Sequence, residues 1–388
     1  MKVGIDIHSI GSHKGGNETY YRELIKELAD VGSDHDFLLY YTHPETAQQV
    51  SAHHRFTLKR LSPANPLLRI PFGIPQRASA DRLDLYHAQF IVPPFLRCKT
   101  VTSIFDIAYE RVPDLFHPAQ RAWLKVLVPW SARRADHILT LSEHSKKDIV
   151  EAYGIAEDKI TVTHLAASGA FVPYNKEKSR ERLAQRYGIE GEFILYLGRL
   201  QARKNLARLV EAYALVRKAG FAQTLVIAGK RDFLFEPVQA RIKELTLEEH
   251  VLLPGYVHAE DVPIFYSAAE VFVYPSLYEG FGLPVIEAMS CGVPVITSRH
   301  SSLEEVAGTA ALSIDPLDVE AIVQAIVKVL GDSELRRQLS KAGLTRSKQF
   351  NYKDAARQTV AVYERVMGTA DAIQSAQAVP KVVPNLPR

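Results

Sequence analysis

Residues 271–297 read VFVYPSLYEGFGLPVIEAMSCGVPVIT, a strand, a glycine-broken loop, a short helix and a second strand. The run is apolar except for two glutamates, Glu279 and Glu287. A carboxylate drawn into such surroundings is costly unless something pairs with it. Pro284 fits the first turn of the helix, and Gly280 and Gly282 permit positive φ and close backbone approach. The amides that follow belong to a helix N-terminus, which favours an anion, most naturally a phosphate. Carboxylates repel phosphates but accept from hydroxyls. The stretch therefore reads as one half of a site for a ligand carrying phosphates and vicinal diols together. The competing reading, two solvated glutamates with no role, stays open at this point.

Outward from this unit the same alternation fills the chain. Strand patterns fall at 3–7, 37–41, 55–61, 83–87, 99–105 and 137–141, then at 193–198, 224–229, 251–255, 271–275 and 294–297. Helix patterns separate them, as in GGNETYYRELIKELADVG, which keeps Tyr20, Tyr21, Leu24, Ile25 and Leu28 on one face. This is α/β layering on parallel sheets, repeated twice. The polar stretch 172–189 separates the halves, so the reading gives Rossmann-like domains at 1–175 and 176–350. A helix follows at 351–368 and a flexible tail at 369–388. Two such sheets facing each other leave a cleft as the default ligand site.

A length of 388 residues suits two domains, and 47% hydrophobic with 23% charged residues is a globular composition. The net charge of +3 gives nucleic acid no support as a partner. Cys98 and Cys291 make no disulfide framework. MKVGIDIHSI enters a strand pattern at once, leaving no room for a signal peptide, and no apolar run approaches a membrane span. The expected location is the cytoplasm. Eleven of fourteen histidines precede residue 175, none in a zinc-ligand spacing.

A diphosphate also needs cations, and GRLQARKNLARLVEAY (198–213) supplies them at the end of another strand. Arg199 offers a planar fork and Lys204 a point charge. No Asp-x-Asp cluster follows any strand, so neither a metal nor another cofactor is expected. The two cations and the helix dipole would stabilise the leaving group.

These residues, EGFGLPVIEAM with Glu279 and Glu287 in E-x7-E spacing, GRLQARKN and GGNETYYRELIKEL, resemble glycosyltransferase family 4 over nearly the whole chain. The resemblance implies the GT-B fold and a retaining, sugar-nucleotide-dependent hexosyltransferase, with GDP-mannose or UDP-glucose as typical donors. It implies an acceptor that is a saccharide or a lipid-linked saccharide, in cell-surface polysaccharide or glycolipid synthesis. On the family pattern Glu287 would bind ribose hydroxyls, and Glu279 would sit at the donor sugar and diphosphate. Arg199 and Lys204 would clamp the diphosphate, with the backbone of Gly280, Phe281, Gly282 and Leu283 beside them. Gly15 and Gly16 would approach the phosphate, and Tyr256 and Val257 the base. The catalytic set is Glu279, Arg199, Lys204 and Asp106. One departure stands out. Where the family commonly has Ile-His-Asp, this chain has SIFDIAYE, so Phe105 replaces the histidine and only Asp106 remains. His87 and Tyr109 are then the expected acceptor contacts.

The segment RAWLKVLVPWSARRAD (121–136) reads either as a basic amphipathic helix on an anionic membrane or as a core helix with a solvated basic edge. Competing functions are a sugar-nucleotide epimerase of the same architecture and a binding protein that has lost catalysis. A dinucleotide-dependent oxidoreductase finds no GxGxxG after any strand.

Overall fold

The computed structural model describes residues 1–12, 15–32, 34–50, 55–231 and 235–368. The tail expected at 369–388 lies outside them. Two compact units form: Met1–Leu165 with the helix Tyr352–Met367, and Ala166–Phe350. The change-over falls ahead of residue 175, where the sequence reading put it. Residues before 175 are already docked on the second unit: the Phe171 ring lies 6.2 Å from Tyr266, and the Tyr174 N–H donates to Ser267 Oγ at 3.1 Å. Polarity at 172–189 marked the exposed side of the helix Lys176–Tyr187 rather than a linker.

The first unit carries β1 (Lys2–Asp6), β2 (Asp36–Tyr41), β3 (Phe56–Arg60), β4 (Leu85–Gln89), β5 (Lys99–Ser103), β6 (His137–Thr140) and β7 (Ile160–Val162). Their order in the sheet is β3-β2-β1-β4-β5-β6-β7. The second unit carries β8 (Phe193–Leu197), β9 (Thr224–Ala228), β10 (Val251–Gly255), β11 (Val271–Tyr274), β12 (Val295–Ser298) and β13 (Leu312–Ile314). Their order is β10-β9-β8-β11-β12-β13. All pairings are parallel. Helices cover both faces, so the central strands read as continuous apolar runs, and β8 is buried at every position.

Each sheet starts in its middle, grows to one edge, then returns to the other side. The order reverses between β1 and β4 in the first unit and between β8 and β11 in the second. Connections leave these strand pairs toward opposite faces, which opens a crevice at their carboxyl ends. The strands the sequence did not reveal, β7 and β13, are three-residue edge strands. Such short runs carry too little pattern to read.

The helix Gly16–Val31 buries Tyr20, Tyr21, Leu24, Ile25 and Leu28, the face expected from their spacing, and packs against the helix Tyr352–Met367. The glycine endings of β8 and β9 have a steric cause. A Cβ on Gly229, at φ 140°, would fall 1.8 Å from the Gly198 carbonyl oxygen. The two strand ends meet backbone to backbone.

Candidate functional site

The two loops singled out in the sequence emerge from β8 and β11, the strands on either side of the reversal in the second unit. After β8 the chain turns through Ala202–Lys204 into the helix Leu206–Lys218. Asn205, at φ 62°, makes the left-handed step, and its Nδ2 donates to the Pro316 carbonyl at 2.6 Å. After β11 the loop runs to Gly282 and the helix Leu283–Ser290. Gly282 has φ 97°, and a Cβ there would lie 2.4 Å from Leu303 Cδ2, so only glycine fits. A backbone bond joins the loops, Leu277 N–H to the Arg203 carbonyl at 2.9 Å.

Across that joint the side chains meet. Lys204 and Glu279 are 4% and 6% exposed, and their ammonium and carboxylate are hydrogen-bonded. Arg203 Nη1 donates to the other Glu279 oxygen at 2.8 Å and to the Tyr278 carbonyl at 2.9 Å. Lys204 Nζ also reaches Tyr274 Oη at 2.5 Å and stands 4.8 Å over that ring, which stacks on Tyr196. Burial alone would push the Glu279 carboxyl up. The charges of Arg203 and Lys204 outweigh it and hold the group at about 2. The loop is fixed from the other side by Ser301 Oγ, which accepts from the Glu279 N–H at 3.1 Å, and by Ser302 Oγ, which donates to its carbonyl at 2.8 Å. The acid expected to meet sugar hydroxyls is thus locked to the lysine expected to meet phosphate. Arg203 completes the triplet. The sequence reading missed it, although its place beside Lys204 in GRLQARKN was the available signal.

The other expected donor residues of the second unit follow the strands of the same sheet. Arg199 is exposed at the start of the β8 loop. Glu287 is half-buried one turn into the helix Leu283–Ser290 and accepts from Tyr266 Oη at 3.3 Å. Gly280 and Leu283 are buried, and the Phe281 ring packs edge-on against Phe350 at 5.7 Å. Its side chain belongs to the core. Tyr256, just beyond β10, is 61% exposed, whereas Val257 is buried.

In the first unit the structure redistributes the expected roles. His87 is 0% exposed, with Nδ1 bonded to Tyr363 Oη at 2.6 Å and Nε2 to Ser103 Oγ at 2.7 Å. Burial holds its imidazole down at about 3, so it stays neutral. Nδ1 ties the sheet to the last helix and Nε2 ties β4 to β5, so both nitrogens are engaged within the fold and His87 is not an acceptor contact. Tyr109 is likewise buried, its hydroxyl bonded to that of Tyr153. The β-strand and helix patterns around both residues gave no hint of which face they took. Phe105 fills the place of the family histidine with an aromatic cluster, 4.7 Å from Tyr20 and 5.6 Å from Phe90. Asp106 is half-buried and accepts from the Ala108 N–H at 3.0 Å. Gly15, at φ 82°, precedes the helix that Gly16 opens, and a Cβ on Gly16 would meet nothing within 4 Å.

At the β1/β4 reversal a second polar group appears that the sequence did not single out. Asp6 Oδ1 bonds both His8 Nδ1, at 2.9 Å, and the His8 N–H, at 3.0 Å. Gln89 Nε2 donates to the Asp6 carbonyl at 2.6 Å and to Ser9 Oγ at 3.2 Å. Burial works to raise the Asp6 carboxyl, but His8 and then Arg69 more than reverse this and hold it low. Asp6 is buried and His8 half-buried, so an oriented imidazole stands at the strand ends. Its signal was positional, IDIHS across the carboxyl end of the first strand of a reversing sheet.

Among the described residues no group of three or more His, Cys, Asp or Glu is placed to hold a metal ion. No helix among them is long and apolar enough to cross a membrane.

Residues 178–346 match the model of the glycosyl transferases group 1, and residues 14–166 that of glycosyltransferase family 4. The O-antigen chain mannosyltransferase B of Escherichia coli is 35% identical over 283 residues, which cover 72% of this chain and 74% of that protein. The MMP alpha-(1->4)-mannosyltransferase of Mycolicibacterium hassiacum is 25% identical over 423 residues, 95% of this chain and 98% of that one. A sucrose-phosphate synthase from Thermosynechococcus elongatus matches in structure with a TM-score of 0.79 at 20% identity, over 95% of this chain and 100% of that chain. Anabaena HepE, solved in complex with UDP-glucose, matches with 0.75 at 17% identity, over 94% and 100%. At these identities the structural likenesses speak for the fold.

Proposed function

The chain belongs to glycosyltransferase family 4 and is a hexosyltransferase with the paired Rossmann-like domains of the GT-B fold; from this we propose that it transfers a hexose, mannose first among candidates, from a nucleoside-diphosphate donor to a hydroxyl of a saccharide or lipid-linked saccharide, with retention of anomeric configuration. The mannosyltransferase relatives support the sugar, and the O-antigen relative supports a role in polysaccharide synthesis.

The observation that carries the reading is the Glu279–Lys204–Arg203 triplet at the β8/β11 reversal, beside the N-terminus of the helix Leu283–Ser290. Arg199 and Lys204 would hold the diphosphate, Glu287 the ribose hydroxyls and Glu279 the sugar. The acceptor oxygen would attack the anomeric carbon on the face the diphosphate leaves. The carbon–oxygen bond to the diphosphate breaks, the bond to the acceptor oxygen forms, and the departing phosphate oxygen takes the acceptor proton. The transition state is oxocarbenium-like, so catalysis consists of positioning and charge stabilisation. No divalent ion is assigned a part, because side-chain cations and the helix N-terminus supply the positive charge. On the acceptor side the Asp6–His8 pair replaces His87 and Tyr109 as the proposed hydroxyl contact.

The experiment is incubation with GDP-mannose or UDP-glucose, with and without a saccharide acceptor, in the presence of EDTA. Acceptor-dependent release of nucleoside diphosphate and an α-linked product by NMR support the reading. A sugar nucleotide returned epimerised, or no turnover of any donor, overturns it.

A further inference from the structure

Twelve large apolar side chains stand exposed among the described residues, and seven of them lie on three segments of the first unit. In the turn Pro66–Gly73, Leu67, Leu68 and Phe72 are 70%, 50% and 62% exposed. In the loop after β4, Phe95 is 71% exposed. On the helix Pro118–Arg134, Trp123, Val126 and Trp130 are exposed at the three- and four-residue spacing of one helical stripe. The inward stripe of that helix is a different one, Val128 and Ala132 with Leu124 and Leu127 against the core. The tryptophans are therefore not core residues.

The segments pack side by side. Ile70, in the middle of the turn, packs against the same cluster as Leu124, Leu127 and Val128. The Val92 N–H, at the start of the Phe95 loop, donates to the buried Ser131 Oγ at 2.9 Å. Exposed apolar residues scattered singly mean little, but a group of this kind marks an interaction surface.

Charge narrows the partner. No Asp or Glu occurs in residues 46–80, 85–105 or 115–135, the stretches that contain all three segments, while eleven Lys or Arg do. Four of these cations are paired with carboxylates from outside these stretches: Lys59 and Arg77 with Asp81, Lys99 with Asp136 and Lys125 with Glu110. Arg97 is exposed beside Phe95, and the Arg134 guanidinium lies 5.9 Å over the Trp130 ring. Aliphatic and aromatic side chains rimmed by arginine suit the headgroup boundary of a negatively charged bilayer. A second copy of the chain fits worse, because it would set cation against cation with no carboxylate on these segments to pair them.

We propose that this face docks on the surface of an anionic phospholipid bilayer, with the Pro66–Gly73 turn and the Trp123–Trp130 stripe entering the headgroup region. The proposal does not depend on which sugar is transferred.

Flotation of the purified protein with vesicles tests it. The wild type binds vesicles of phosphatidylcholine mixed with phosphatidylglycerol, does not bind phosphatidylcholine alone, and is released by high salt. The double substitution Leu68→Glu/Phe72→Glu, and separately Trp123→Glu, reduces the bound fraction about tenfold or more. Leu317→Glu, at a residue of the second unit that is 61% exposed, leaves it unchanged. Circular dichroism and melting curves of the variants match the wild type, since the substituted side chains are exposed. Absence of binding to the phosphatidylglycerol vesicles overturns the proposal, as does equal binding by the variants. So does a dimer in sedimentation velocity that the same substitutions dissolve while vesicle binding persists.

Discussion

The ammonium of Lys204 and the carboxylate of Glu279, seventy-five positions apart in the chain, are hydrogen-bonded to each other in a site that leaves both almost entirely buried. Neither charge is surplus to the fold, and neither is available to a ligand without rearranging its partner. Arg203 on the second Glu279 oxygen would keep the carboxylate neutralised if Lys204 turned toward a donor phosphate, as the proposed function requires. On the proposed function, Lys204→Ala would remove a cation where charge grows as the diphosphate leaves, and kcat should fall about 10²-fold or more. Arg203→Ala acts through Glu279 instead, and should lower kcat less while raising donor KM. Steady-state kinetics on the two variants separate these effects.

Gly282 is a backbone requirement of the same loop. Its φ of 97° and the 2.4 Å approach of Leu303 to an added Cβ make Gly282→Ala strained on both counts. The expected loss is about 1–3 kcal/mol, read as a lower midpoint in chemical denaturation, together with weaker donor binding because the helix N-terminus shifts. Gly16→Ala, with nothing within 4 Å of its Cβ, should leave the midpoint nearly unchanged.

The legibility of the chain followed periodicity. The long central strands and the Tyr20–Leu28 face could be read because burial on a parallel sheet writes itself as unbroken apolar runs. The three-residue strands β7 and β13 could not. The strand-end position of the Glu279 and Lys204 loops could also be read from their glycine-rich context, but not that the two side chains pair with each other. His87 and Tyr109 misled because sequence shows that a polar group is present, not what it bonds to. His87 found Tyr363, 276 positions away. The Asp6–His8 pair escaped notice because its meaning depends on strand order, which no local pattern encodes.

His87 has a pH signature. Its folded value, about 3, lies below the usual 6.5, so below 6.5 the unfolded chain takes up a proton that the folded chain refuses. The associated stability is complete above that value and is lost as pH falls toward 3, with a slope of up to ~1.4 kcal/mol per pH unit. His137, held at about 4 by burial and then by Arg365 and Lys159, adds in the same direction. Glu279, depressed from 4.5 to about 2, loses its contribution only in that lower window. Denaturation midpoints for the wild type should therefore fall as pH is lowered from about 6.5 toward about 4, and those of His87→Gln should fall less steeply.

The Asp6–His8 pair predicts a division of labour between the units. His8→Phe should lower acceptor-dependent transfer about 10²-fold while leaving acceptor-independent donor hydrolysis and donor affinity within about twofold. Equal losses in all three would assign His8 to the fold rather than to the acceptor.

The central claim is that a nucleoside-diphosphate sugar is held at the β8/β11 loops by Arg199, Lys204 and the helix N-terminus through its phosphates, and by Glu287 through its hydroxyls. Isothermal titration of GDP-mannose and UDP-glucose into the wild type, Lys204→Ala and Glu287→Ala tests it most directly. The account predicts one-site binding of one of these donors to the wild type, weakened about tenfold or more in each variant. Wild-type affinity in both variants, or no binding of either donor to the unaltered protein, would contradict it.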